Sequence, residues 1–113
     1  MRIINQTKKQ IISENARLAD TALSRVIGLL NRGSLSAGEG LVITQCRSIH
    51  MFFMKFSIDV IFVDRKNAVI GLVKRIQPFC MSPYFWRASC AIELPAGAID
   101  ATQTVIGDTV VWE

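Results

Sequence analysis

The chain has 113 residues, half of them hydrophobic, and a formal net charge of +4. That length fits one domain, 1–113, with a core of its own, and such hydrophobicity excludes a disordered chain. No stretch approaches the roughly 18 apolar residues of a membrane helix. The N-terminal MRIINQTKKQIISEN lacks the continuous apolar core of a signal peptide, so the expectation is a cytoplasmic protein with no membrane span.

Cys46, Cys80 and Cys90 are an odd count, which predicts reduced thiols rather than a disulfide framework. Charge is uneven: residues 1–56 carry eight Lys/Arg and three Asp/Glu, residues 57–113 five and six. The basic residues are scattered instead of forming a stripe, so there is no strong nucleic-acid signal.

Residues 3–4 and 10–13 are short apolar pieces expected to be strands. In residues 20–31, Leu23, Val26, Ile27 and Leu30 recur at helical spacing, which predicts one amphipathic helix packed on a sheet. Asp20 is the expected N-cap, Gly33 the expected stop, and Gly28 an internal weakness. Residues 33–40 read as a loop and 41–44 as a strand, with a bent strand over 46–54. Residues 58–63, IDVIFV, read as a strand buried on both faces. The polar turn Asp64-Arg65-Lys66-Asn67 joins it to a strand over 68–75, making a β-hairpin. An aromatic loop over 77–88, a strand over 90–94, a helical turn over 98–103 and a closing strand over 109–112 complete the chain. About seven strands and one helix predict a mainly β fold, a sandwich or barrel, with the helix on its sheet.

Several pieces are distinctive as an ordered set: GLLNRGSL with EGLVI, then CRSIHMFFMKFSIDVIFVDRKNAVI, then ELPAG, then IGDTV. From about Ala19 to Val111 the chain resembles the family catalogued as domain of unknown function 192. Met51, Phe53 and Ser57 depart from that family's pattern, which has a small polar or aromatic residue, often Gly or Trp, and usually Pro at those positions. The resemblance implies a jelly-roll-like β fold and no particular activity.

Chemistry-bearing residues are few. His50, the only histidine, stands four residues after Cys46, and on a strand the two would share a face. A metal site needs three or four ligands, and no CxxC, HExxH, GxSxG or phosphate-loop pattern is present, so no metal or cofactor is expected. Asp59 and Glu93 are carboxylates inside apolar strands and must be paired or wetted, either as an acid/base pair or as structural anchors. Arg47, His50, Lys55, Asp59 and Glu93 form the candidate binding cluster. It predicts His50 and Asp59 side by side, next to a concavity bordered by Phe79, Tyr84, Trp86 and Arg87 of the loop. Those aromatics beside a guanidinium suit stacking on a ligand, or a lid over the open end of the sandwich. Met51, Phe52, Phe53 and Met54 suit core packing or an adaptable binding surface.

The reading that follows is a protein of unknown function, most simply a non-catalytic β module that binds a small molecule or a protein. The alternatives are a small hydrolase using His50 with Asp59 or Glu93, and a basic accessory protein that binds RNA or an anionic surface through its N-terminal half.

Overall fold

The computed structural model describes residues 1–30 and 32–113, with the backbone alone for Ala22, Leu23 and Val26. The expectations for Asn31 and for the side chains of Leu23 and Val26 lie outside the described residues. The elements run β1 (Ile3–Asn5), β2 (Gln10–Ser13), β3 (Asn15–Ala19), α1 (Ala22–Ile27), β4 (Glu39–Thr44), β5 (Ile58–Val63), β6 (Val69–Ile76), β7 (Cys90–Pro95), α2 (Ala98–Ala101) and β8 (Val110–Trp112). The fold is mainly β, as expected. A five-stranded sheet has the order β3-β4-β7-β5-β6, a three-stranded sheet the order β2-β1-β8, and neither closes into a barrel. No helix among the described residues is long and apolar enough to cross a membrane.

Strands β4, β7 and β5 form the antiparallel centre of the large sheet. Their side chains alternate between two cores. On one face, Leu41, Ile43, Val60, Phe62 and Ala91 pack with Ile49, Met51, Met54 and Leu29. On the other, Val42, Ile61, Val63, Ile92 and Leu94 pack with Ile3, Ile12 and Val110 of the small sheet and Ile99 of α2. All six residues of β5 are buried, which explains why its sequence is apolar without alternation.

The predicted hairpin is present, with β6 at 69–76 antiparallel to β5 and two register irregularities. Its turn is fastened by Asp64, whose Oδ1 accepts from the amides of Lys66 and Ala68 at 2.9 Å each. Gly71 lies opposite Phe62, and the Phe85 ring occupies the space a Cβ at Gly71 would need.

Three local expectations are corrected. First, the helix is shorter than 20–31. Thr21, not Asp20, is the N-cap: its hydroxyl accepts from the Ser24 amide, and Ser24 Oγ accepts from the Thr21 amide in a reciprocal pair. The helix stops at Gly28, where φ is +50° and the amide still donates to Ser24 O. Glycine adopts that geometry without Cβ strain, so Gly28 terminates the helix, not Gly33. Ile27 is 37% exposed, whereas Leu29 just beyond the helix is buried.

Second, residues 46–54 are not a regular strand. They run antiparallel to the 77–88 loop through scattered bonds, with one bridge at His50 and Met81. The Phe85 amide donates to Arg47 O, Ser82 N to Ile49 O, Met51 N to Cys80 O and Phe79 N to Met51 O. Gln45 at φ +52° and Phe53 at φ +65° interrupt the extended backbone. Cys46 and His50 therefore do not alternate as strand residues would.

Third, β3 is an additional strand. It pairs in parallel with β4, from Asn15 opposite Glu39 to Ala19 opposite Ile43. Parallel pairing needs a crossover, and residues 20–38, containing α1, supply it.

Candidate functional site

Glu93 lies at the middle of β7, between Leu41 of β4 and Val60 of β5. Its side chain therefore enters the first core. It is 4% exposed, and no hydrogen bond or ion pair to it occurs among the described residues. Burial pushes its carboxyl up to about 7. Gly28 backs onto the carboxylate: a Cβ there would sit 3.6 Å from Oε1.

The carboxylate opens onto a cavity of about 450 Å³ with apolar walls that include Leu29, Ile43, Ile49 and Met54. Arg25, Cys46, Ser48 and His50 are among its other lining residues. Cys46 is half-buried, and its Sγ donates to Ser48 O at 3.2 Å. Burial pushes this thiol up to about 11, and the nearby Glu93 adds to the rise. At neutral pH it is a thiol, not the nucleophilic thiolate. His50 is exposed at the rim, with its ring 5.3 Å from that of Phe52.

Asp59 does not join this cavity. It lies opposite Leu94 and in phase with Ile61 and Val63, so it faces the second core. Both oxygens are used: Oδ1 accepts from the Arg75 amide and Oδ2 from the Ile99 amide, each at 2.9 Å. The Arg75 amide is free to donate because Arg75, at φ +52°, sits in a bulge of β6. Asp59 is a structural anchor that ties β6 and α2 to the centre of the sheet. The expected His50–Asp59 neighbourhood is absent because alternation along β5 turns Asp59 to the second core, whereas His50, on the irregular 46–54 segment, borders the cavity of the first.

The other members of the expected cluster separate as well. Lys55 is exposed and lines none of the three described cavities. Arg47 lines a different concavity from Glu93, with its Nη1 3.5 Å from the Tyr84 hydroxyl. Trp86 and Arg87 border a neighbouring concavity with Arg47 and Arg65. Phe79 is 65% exposed and meets Phe53 edge-on. Within the aromatic loop, Phe85 alone turns inward, 4.5 Å from Phe62, while Tyr84 and Trp86 face outward.

Nothing in the sequence around Arg25 or Arg65 marks a site, and Gly28 stands inside a helical pattern. A glycine inside an amphipathic pattern was the available signal that the helix ends there. Among the described residues no group of three or more His, Cys, Asp or Glu is placed to hold a metal ion, and Cys46, Cys80 and Cys90 are free of disulfides.

The family model DUF192, described as an uncharacterized ACR family, matches residues 3–112. A UPF0127 protein of Thermococcus sibiricus is 36% identical over 115 residues, covering 98% of this chain and 74% of that protein. A UPF0127 protein of Pyrococcus horikoshii is 32% identical over 113 residues, covering 97% of each. A crystal structure of a protein of unknown function from Novosphingobium aromaticivorans superposes with a TM-score of 0.87 at 20% identity, covering 99% of this chain and 84% of that one, which is a likeness of fold. With the family match spanning nearly its whole length and relatives above 30% identity, the chain belongs to the DUF192 family of UPF0127 proteins, whose function is unknown.

Proposed function

We propose that the protein is a β module that binds a small organic molecule in the Glu93 cavity. The ligand would have an apolar body and a protonated nitrogen. One observation carries this reading: a buried carboxylate without a described partner lies against a cavity of about 450 Å³ with apolar walls. A carboxylate left in that state costs free energy, and an ammonium donor from a ligand would recover it. The volume falls in the range of small-molecule sites, which combine apolar walls with a few polar groups. The hydrolytic reading of the same cavity rests on His50 and Glu93 alone, because Cys46 is held as a neutral thiol and Asp59 faces the other core. A cytoplasmic setting fits the three unpaired cysteines.

Titration with primary alkylamines of four to eight carbons, followed by amide NMR shifts at pH 8, tests the reading. Saturable shifts should centre on Ile43, Ile49 and Met54. Glu93→Gln should weaken binding by about tenfold to a hundredfold. Shifts that do not saturate, or that are unchanged in Glu93→Gln, would reject it.

A further inference from the structure

A second surface, adjoining the Glu93 cavity across Gln45, Cys46 and Ser48, gathers positive charge and exposed aromatic rings. Arg47 comes from the segment after β4, Arg65 and Lys66 from the β5–β6 turn, and Arg87 from the aromatic loop. They come from three separate segments in both halves of the chain, yet they converge on two adjoining concavities. One, of about 590 Å³, is lined by Arg47, Arg65, Tyr84 and Ser89 among others. The other, of about 410 Å³, is lined by Arg47, Arg65, Lys66, Trp86 and Arg87 with Asp64. Arg47 and Arg65 border both.

All four cations are exposed, and among the described residues none is in an ion pair. The one carboxylate in the lining, Asp64, is engaged by the amides of its own turn. Tyr84 is 51% exposed and Trp86 79%, and their rings meet edge-on at 4.9 Å, so each keeps a face open. The platform is held from beneath. Phe85, between the two, is packed against Phe62, and its amide donates to Arg47 O at 2.8 Å. Contiguous exposed aromatic surface rimmed by polar residues marks an interaction site. Rings with open faces stack on nucleobases, and guanidinium groups pair with phosphates bidentately.

We propose that this surface binds single-stranded nucleic acid, with Tyr84 and Trp86 stacking on bases and Arg47, Arg65, Lys66 and Arg87 contacting the backbone phosphates. Two linked concavities sharing two arginines fit a chain of nucleotides better than one mononucleotide. Stacking requires unpaired bases, so a duplex should bind less well.

Fluorescence anisotropy with a labelled uridine decamer in 50 mM salt tests the proposal on the intact chain. Binding should saturate, and the logarithm of affinity should fall with the logarithm of salt with a slope of about −2 to −3 for three or four phosphates. Trp86→Ala should weaken binding about tenfold or more. Arg65→Ala should reduce the slope by about 0.7. Both side chains are exposed, and an unchanged circular dichroism spectrum and melting temperature would confirm that each variant folds. No saturable binding would overturn the proposal. So would binding that Trp86→Ala leaves unchanged, because that is plain polyanion attraction, which poly-glutamate would reproduce. Equal affinity for uridine monophosphate and the decamer would overturn the strand assignment in favour of a nucleotide pocket.

Discussion

Glu93 and Asp59 are the two buried carboxylates of the central strands, one residue out of phase, and they face opposite sides of the same sheet. Asp59 meets two backbone amides, whereas Glu93 meets a cavity. That difference separates an acid that holds the fold together from one available to a ligand.

The Glu93 carboxyl sits at about 7 in the folded chain against an ordinary 4.5. Between those values the folded state holds one proton more than the unfolded state, so stability falls as pH rises through the window. By pH 8 the loss is on the order of 3 kcal/mol. Urea unfolding at pH 5 and pH 8 should show it. Glu93→Gln should remove this part of the pH dependence and be the more stable protein at pH 8. Equal slopes in the two proteins would place the titration elsewhere.

Asp59→Ala should destabilise strongly, on the order of 3 kcal/mol, because it leaves the Arg75 and Ile99 amides without their acceptor. Asp59→Asn keeps one acceptor oxygen and should lose less. Neither should change alkylamine affinity under conditions where the protein is folded. A change in affinity without a change in stability would contradict the anchor role.

Gly71→Ala should cost about 1–3 kcal/mol by overpacking against the Phe85 ring. The companion change Phe85→Leu should relieve part of that cost, so the double variant should be more stable than the sum of the two single losses predicts. Strict additivity in thermal unfolding would show that the ring and the glycine are not in contact.

Iodoacetamide at pH 7 should modify Cys80, which is exposed, well before Cys46, which is half-buried and held protonated. Mass spectrometry over a time course checks the order. Faster labelling at Cys46 would mean that its thiol is activated, and would revive a nucleophilic reading of the cavity.

Strand β5, its hairpin with β6, and strands β4, β7 and β8 were legible because their apolar, β-branched runs and turn residues act locally. Strand β3 was not, since Asn15, Ala16 and Arg17 have little β preference and only parallel pairing with β4 makes them a strand. Segment 46–54 mimics a strand because several of its residues are apolar like a strand's, while its backbone follows the 77–88 loop through scattered bonds.

Residue pattern alone makes this a mainly β protein with an apolar centre, and leaves Asp59 and Glu93 as carboxylates in need of partners. Burial and alternation are written into short stretches of chain. Tertiary structure decided which carboxylate is satisfied, because the amides that reach Asp59 belong to Arg75 and Ile99, sixteen and forty residues away. It also decided that Arg47, Arg65, Lys66 and Arg87, scattered along the chain, form one surface around Tyr84 and Trp86. Strand order and loop pairing bring distant residues together, and no local pattern records that convergence.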